Sequence, residues 1–191
     1  FQLRISDKPL YTLRQKSDIT IALDKASVAL HKSSMTDGGV LVLDRKKFTI
    51  TEEGNAFFDI PFYDIAIRTG GSEIFINSVA CGIIAGMIGV EFRSVEHVME
   101  ATFAGKSEEI IRKNKEVAGA GYDFVKNNFK QDTFRIKAGT IKDAGTLVMN
   151  GNDAIALGAI RAGCKFYSAY PMSPSTTIMN VIAQYAQKFH I

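Results

Sequence analysis

A strand–helix–strand pattern near the start of the chain constrains the fold more than any other feature. Residues Asp18–Leu23 are rich in β-branched side chains, and Val40–Leu43 is a second apolar run. Such runs are typical of strands buried on both faces of a parallel sheet. Asp24 predicts the cap of a helix over Lys25–Ser34, and Gly38-Gly39 predicts a break before the second strand. The pattern therefore predicts an α/β fold with parallel strands joined by a right-handed crossover.

Shorter elements flank this unit. Phe1–Ile5 alternates apolar and polar residues, which favours a half-exposed strand. Phe48–Ile50 and Ala56–Ile60 are predicted to be short strands. A helix over Phe62–Arg68, ended by Gly70-Gly71, is predicted to follow.

A nearly continuous apolar run, Glu73–Gly89, predicts a buried helix. Gly82 and Gly86 are spaced for close contact with a neighbouring helix. A membrane span is the alternative, but the run is at the short limit for one and contains polar residues. Asn77 on this helix is expected to need hydrogen-bond partners in the protein interior.

Two further helices are predicted before residue 130. The first covers Ser94–Ala104, with Ser94 as its cap. The second is amphipathic, covers Glu108–Phe129, and carries the pairs Glu108/Arg112 and Glu109/Lys113 at salt-bridge spacing.

The composition changes after residue 129. Lys130–Thr146 has no clear period and predicts a linker, with a short strand at Phe134–Ile136. Asn152–Ala162 is predicted to be a helix that ends at Gly163. Lys165–Ala169 is predicted to be a short strand.

The loop after this last strand is the most informative candidate site. Ser173 is placed to cap a final helix that begins at Pro174 and runs to about Phe189. In open α/β sheets, ligands bind where strands lead into helix N-termini. The amides of Ser175, Thr176 and Thr177, with nearby hydroxyls, are predicted to offer a seat for a carboxylate or phosphate. Ser173 acting only as a helix cap is the structural alternative.

Composition restricts the function. The chain has 191 residues, of which 46% are hydrophobic, and a net charge of +3. Its basic runs are too short for a nucleic-acid interface. Its two cysteines, Cys81 and Cys164, are predicted to be buried reduced thiols, which suits a cytoplasmic protein. Two cysteines cannot hold an iron–sulfur cluster, so any such cluster is expected in another subunit.

Glu96, His97 and Glu100 could face a metal, but a solvated helix face explains them equally well.

Two stretches resemble a known family. Gly151–Tyr167 followed by Tyr170–Ser175 (YPMSPS) is similar to the start of the alpha subunit of 2-oxoacid:ferredoxin oxidoreductases. Residues 1–129, with the segments FQLRISD, DITIAL and NSVACG, resemble the gamma domain of the same enzymes. Gamma followed by alpha in one chain resembles the fused form of 2-oxoglutarate and related two-subunit enzymes.

The resemblance implies an organisation. Residues 1–129 are expected to form a three-layer Rossmann-like gamma-type domain with a helical C-terminal part. Residues 130–150 are expected to be a linker, and residues 151–191 the first α-β-α of a thiamine-diphosphate-binding fold of the pyrimidine type. The family's glycine-rich start does not precede Phe1, and its activating glutamate would lie beyond Ile191. The sequence is therefore expected to be part of a longer chain and inactive alone.

The resemblance also implies a chemistry. Such enzymes convert a 2-oxoacid and coenzyme A to acyl-CoA and reduce ferredoxin. Thiamine diphosphate and magnesium are shared with a beta subunit, and iron–sulfur clusters lie in another subunit. Tyr170, Pro171 and Ser173 match the cofactor-contacting loop, and Ser173, where the family usually has threonine, is the expected substrate contact. No catalytic residue, metal ligand, nucleic-acid partner or membrane partner is expected in this chain.

Two other functions remain as alternatives to this interpretation. The first is a non-catalytic docking module of a multisubunit complex, and the second is a stand-alone enzyme that binds small anions.

Overall fold

The computed structural model describes residues 1–6, 10–50, 57–130, 134, 149–173 and 175–191. The chain divides into two compact units, Phe1–Ala138 (unit 1) and Gly139–Ile191 (unit 2).

Unit 1 contains a parallel three-stranded sheet in the order β1-β2-β3. The strands are β1 (Ser17–Ile21), β2 (Met35–Leu43) and β3 (Phe57–Asp59), and α1 (Lys25–His31) connects the first two. Ile19 is in register with Val40, and Leu41 with Phe57. The predicted parallel strand–helix–strand unit is thus confirmed, as is the described part of the third strand.

The predicted break at Gly38-Gly39 is wrong, because both glycines lie inside β2. The register shifts here: Ser17 pairs with Met35, whereas Ile19 pairs with Val40. Residues 36–39 therefore form a bulge opposite a single residue of β1. An added Cβ at Gly39 would approach the carbonyl oxygen of Ser17 to 3.0 Å, so the bulge favours a glycine at that position.

The predicted strand at Phe48–Ile50 is also wrong. Phe48 ends a short helix, α2 (Arg45–Phe48), and Thr49 follows with a φ of 56°. The Asp44 carboxylate starts this helix by accepting from the Lys47 amide at 2.9 Å. Phe48 is buried in a small apolar cluster against the sheet. A local cap and one buried ring therefore outweigh the β-propensity of the segment.

Phe1–Ile5 does not form a strand. Its contacts with the next segment come from side chains: Gln2 Nε2 donates to Arg14 O at 2.6 Å and Arg4 donates to Thr12 O at 2.9 Å. The segment is exposed, and no neighbouring strand among the described residues provides a backbone ladder for it. Alternation predicts a strand only where such a partner exists.

Three aspartates lie at the carboxyl edge of the sheet, and each accepts backbone amides. Asp24 accepts from the Ser27 amide at 2.7 Å, and this bond and the Ser27 hydroxyl lower the pKa of the Asp24 carboxyl. Asp44 is buried, and Asp59 accepts from the Arg45 amide at 2.9 Å. These carboxylates hold the chain where it leaves the sheet.

Helices make up most of residues 62–128, as predicted. They are α3 (Phe62–Ile65), which continues through a π-helical turn to Gly70, α4 (Ile76–Ile88), α5 (Phe92–Thr102) and α6 (Glu108–Asn128). Ser94 is not the cap of α5 but its third residue, since the helix begins after Glu91. Glu109 and Lys113 form the predicted ion pair at 3.0 Å, but Arg112 pairs with Glu116 at 2.7 Å rather than with Glu108.

Helices α4 and α6 cross closely at glycines. An added Cβ at Gly82 would lie 1.8 Å from the carbonyl oxygen of Ala118, and one at Gly121 would lie 2.6 Å from that of Val79. The predicted close contact of the apolar helix is thus confirmed for Gly82. The buried side chains around this contact form the main core of unit 1 with residues of the sheet and α3: Val40, Val42, Ile60, Phe62, Ala66, Val79, Ile83, Met87, Val117 and Val125.

The prediction that Asn77 lies in the protein interior is wrong, and this interface buries a different pair of polar residues. Asn77 is exposed, whereas Ser78 and Asn114 are buried. Ser78 Oγ donates to Asn114 Oδ1 at 2.5 Å, and Asn114 Nδ2 donates to Ile110 O at 2.8 Å. The interface therefore satisfies its own polar groups.

The described residues of unit 2 form two helices, α7 (Gly151–Arg161) and α8 (Ser175–Phe189), which pack against each other, and Ala156 and Ile182 are buried. Gly163, with a φ of 89°, ends α7 as predicted. The predicted strand Lys165–Ala169 is not formed, because no strand among the described residues of unit 2 pairs with it. The linker and its short strand fall mostly outside the described residues.

None of the described helices is by itself both long and apolar enough to cross a membrane. A bent pair, Phe62–Gly70 with Glu73–Ile88, meets the same length and composition criteria but turns by 116° at its break.

Candidate functional site

The candidate site is the turn that leads into α8, and it is held by a small hydrogen-bond network. The Met172 amide donates to Tyr170 O at 2.7 Å, and the Thr176 amide donates to Met172 O at 3.2 Å. The Ser175 hydroxyl lies 2.7 Å from Tyr170 O and 2.6 Å from Met172 O. The predicted set of free amides is therefore wrong at Thr176, whose N–H group is already used.

The side chains of this turn point away from the interior of unit 2. Tyr170 is 79% exposed and Met172 is 63% exposed. Pro171 and Ser173 are exposed as well, while Pro174, the predicted first residue of the final helix, lies outside the described residues. The structure thus brings Tyr170, Pro171 and Ser173 together on one exposed turn. The bonds of the Ser175 hydroxyl were not predicted, although a serine at a turn or a helix start is a signal for such side-chain-to-backbone bonds.

The segment between α7 and the turn is tied to the far end of α8. Lys165 Nζ donates to Phe189 O at 3.0 Å, so the lysine satisfies a carbonyl at the helix C-terminus. Phe166 is 82% exposed, so the segment offers apolar surface beside the turn.

The cysteines are not buried as predicted. Cys81 is exposed on α4, and Cys164 is partly exposed just after α7. Both are free thiols. Partial desolvation raises the pKa of the Cys81 thiol, so its thiolate form is disfavoured.

The acidic residues weighed as metal ligands contact a lysine. Lys115 Nζ lies 2.8 Å from Glu100 Oε1 and 3.5 Å from Glu96 Oε1. The hydrogen bond from Lys115 lowers the pKa of the Glu100 carboxyl, and the same bond raises the pKa of Lys115. Within the described part of the chain, no group of three or more His, Cys, Asp or Glu residues is arranged to hold a metal ion.

A cleft of about 630 Å³ lies between α5 and α6 in unit 1. Apolar residues such as Phe92 and Ile111 line it together with the ion pairs of Lys115 and Arg112. Among the described residues that line the cleft, both basic groups are already paired, so they leave no free cation for an anionic ligand, and the exposed turn remains the better candidate.

A comparison with known protein families shows to which family the chain belongs. Residues 1–124 match the model of the family described as pyruvate ferredoxin/flavodoxin oxidoreductase. The chain belongs to this family. The resemblance stated from the sequence is thereby confirmed.

Individual relatives agree with this assignment. The chain is 24% identical to subunit alpha of 2-oxoacid:ferredoxin oxidoreductase 2 from Aeropyrum pernix, over 92% of the chain and 34% of the relative. Its fold matches a 2-oxoglutarate:ferredoxin oxidoreductase from Magnetococcus marinus, solved with 2-oxoglutarate, coenzyme A and succinyl-CoA bound, with a TM-score of 0.83 and 26% identity. This match covers 97% of the chain and 33% of that structure, so the chain spans about a third of the length of these relatives.

A further solved structure resembles part of the fold. The gamma subunit of a keto/oxoacid ferredoxin oxidoreductase from Geobacter sulfurreducens matches with a TM-score of 0.51 and 24% identity. The match covers 62% of this chain and 65% of that subunit.

Proposed function

We propose that the chain is a segment of a thiamine-dependent 2-oxoacid:ferredoxin oxidoreductase. In this proposal, residues 1–129 form a Rossmann-like gamma-type domain, residues 130–150 a linker and residues 151–191 the start of an alpha-type thiamine-binding domain. The similarity to the Magnetococcus marinus enzyme over 97% of the chain supports this organisation, because it includes both units in one relative.

The complete enzyme oxidises a 2-oxoacid with coenzyme A to acyl-CoA and carbon dioxide, and it passes electrons to ferredoxin. The bound ligands of the Magnetococcus marinus relative support a 2-oxoacid and coenzyme A as substrates. Thiamine diphosphate, when bound, supplies the electron sink for this chemistry, and the protein supplies position and electrostatics.

The exposed turn at the start of α8 is the single observation that carries the site assignment. In this proposal, the Ser173 hydroxyl would bind the 2-oxoacid, and Tyr170 and Pro171 would help to hold the thiamine cofactor. Their exposure supports these roles, because a ligand or a neighbouring subunit can reach them. In this proposal, a beta subunit supplies the magnesium and pyrophosphate contacts. The iron–sulfur clusters likewise belong to another subunit.

In the complete enzyme, Ser173→Ala is expected to raise KM for the 2-oxoacid about two- to tenfold, with a smaller change in kcat. The reason is the loss of one hydrogen bond made to the substrate before and during the reaction. Steady-state kinetics measure the effect, and Ser173→Thr, which keeps the hydroxyl, is the matched control. Unchanged kinetics together with a lower melting temperature would show that Ser173 only caps α8.

The 191-residue chain by itself is expected to show no saturable binding of thiamine diphosphate with magnesium. The physical reason is that only one side of the proposed cofactor site comes from this chain. Isothermal titration calorimetry tests this expectation, with the complete enzyme as the positive control. Stoichiometric binding by the isolated chain would contradict the shared site and favour a stand-alone anion-binding protein.

A further inference from the structure

The Ser175 hydroxyl lies next to the residues of the proposed site and is not itself one of the proposed ligand contacts. Ser175 Oγ lies within hydrogen-bond distance of two carbonyl oxygens, 2.7 Å from Tyr170 O and 2.6 Å from Met172 O. A serine hydroxyl carries one proton, so it donates to these two acceptors by sharing or alternating. Both acceptors belong to the turn that carries Pro171 and Ser173.

The hydroxyl completes a network that the backbone begins. Tyr170 O also accepts from the Met172 amide at 2.7 Å, and Met172 O also accepts from the Thr176 amide at 3.2 Å. Each carbonyl therefore has one amide donor and the Ser175 hydroxyl. The amides define the local turn, whereas the hydroxyl joins both carbonyls to the first residue of α8.

Hydrogen bonds matter here because the turn has little packing of its own. The side chains of Tyr170 and Met172 are mostly exposed. Helix α8, in contrast, is anchored by the buried Ile182 and by the bond from Lys165 to Phe189. Ser175 thus connects a weakly packed turn to a fixed helix.

We propose that Ser175 is a positioning residue for the 2-oxoacid site. It holds the backbone of the turn so that the Ser173 hydroxyl and the Tyr170–Pro171 segment keep the direction needed for binding, without touching the ligand itself. This inference rests on the proposed function of the turn. It gives Ser175 a positioning role that is separate from the ligand contacts proposed for the turn.

In the complete enzyme, Ser175→Ala is expected to raise KM for the 2-oxoacid about two- to tenfold, with kcat changed less, since the lost hydrogen bond orients a binding group. Ser175→Thr keeps the hydroxyl and is expected to restore KM to the wild-type value. Ser107→Ala is the matched control, because Ser107 Oγ accepts from the Ile110 amide at the start of α6 in unit 1. It is expected to lower the melting temperature and leave KM unchanged.

Hydrogen exchange tests the positioning without using activity. In the same enzyme, the backbone amides of Tyr170, Met172 and Ser173 are expected to exchange faster in Ser175→Ala than in the wild type and at the wild-type rate in Ser175→Thr. Unchanged exchange in Ser175→Ala, or a raised KM that Ser175→Thr does not restore, overturns the positioning role. Failure of the proposed function looks different: the wild-type enzyme then shows no thiamine-dependent oxidation of any 2-oxoacid, whatever the exchange rates.

Discussion

Gly82→Ala is expected to lower the free energy of unfolding of unit 1 by about 2 kcal/mol. The added Cβ would lie 1.8 Å from the carbonyl oxygen of Ala118, which is backbone on the facing helix and cannot rotate away. Helices α4 and α6 must therefore separate at the centre of the main core. Alanine has a better helix propensity by about 1 kcal/mol, but overpacking a tight contact costs up to about 3 kcal/mol.

Gly86→Ala provides the matched control on the same helix. Its added Cβ would lie 3.2 Å from its nearest neighbours, Tyr122 O and the Val125 side chain. A shift of a few tenths of an ångström accommodates that contact, so this variant is expected to stay within about 1 kcal/mol of the wild type. Urea unfolding followed by circular dichroism measures both variants. Equal stabilities for the two would mean that the crossing of α4 and α6 is not as close as described.

Asn114→Ala is the second large effect, with an expected loss of about 3 kcal/mol. The substitution removes the acceptor of the buried Ser78 hydroxyl and the donor to Ile110 O. A buried hydroxyl left without a partner costs its desolvation in addition to the lost hydrogen bond. The pair lies at the same α4–α6 interface, where water cannot readily replace the missing amide.

A double-mutant cycle makes this prediction specific. Ser78→Ala is expected to cost less than Asn114→Ala, and the double variant is expected to cost less than the sum of the two, because the unpaired hydroxyl is absent from it. Asn77→Ala, at the exposed neighbouring position, is the control and is expected to lie within about 0.5 kcal/mol of the wild type. Additive effects of Ser78 and Asn114 would show that they do not interact.

The sequence indicates the structural importance of Gly82 but not that of Asn114. Gly82 was identified in advance, because an apolar helix with small residues one turn apart predicts a close helix contact. Asn114 was not, since it lies in an amphipathic helix among charged residues, where an asparagine normally faces water. Its burial depends on how α6 is rotated against α4, and that rotation follows from the fit of side chains far apart in the sequence.

The candidate site shows a similar division. The motif that contains Tyr170, Pro171 and Ser173 is readable directly, as are the helices on both sides of it. The use of the Thr176 amide and the position of the Ser175 hydroxyl depend on how tightly the turn closes. A pattern of residue types gives the donors and acceptors of a turn but not their pairing.

The sequence by itself determined the features that depend on neighbours within a few residues. These are most of the helices, the Asp24 cap and the glycine end of α7. The sequence also indicated the parallel pair around α1 and the family to which the chain belongs. Only the tertiary structure decided that Gly38-Gly39 form a bulge, that Phe1–Ile5 and Lys165–Ala169 lack strand partners, and that Ser78 pairs with Asn114. Those outcomes need contacts between distant segments, because a ladder, a bulge or a buried hydrogen bond exists only when its second partner is in place.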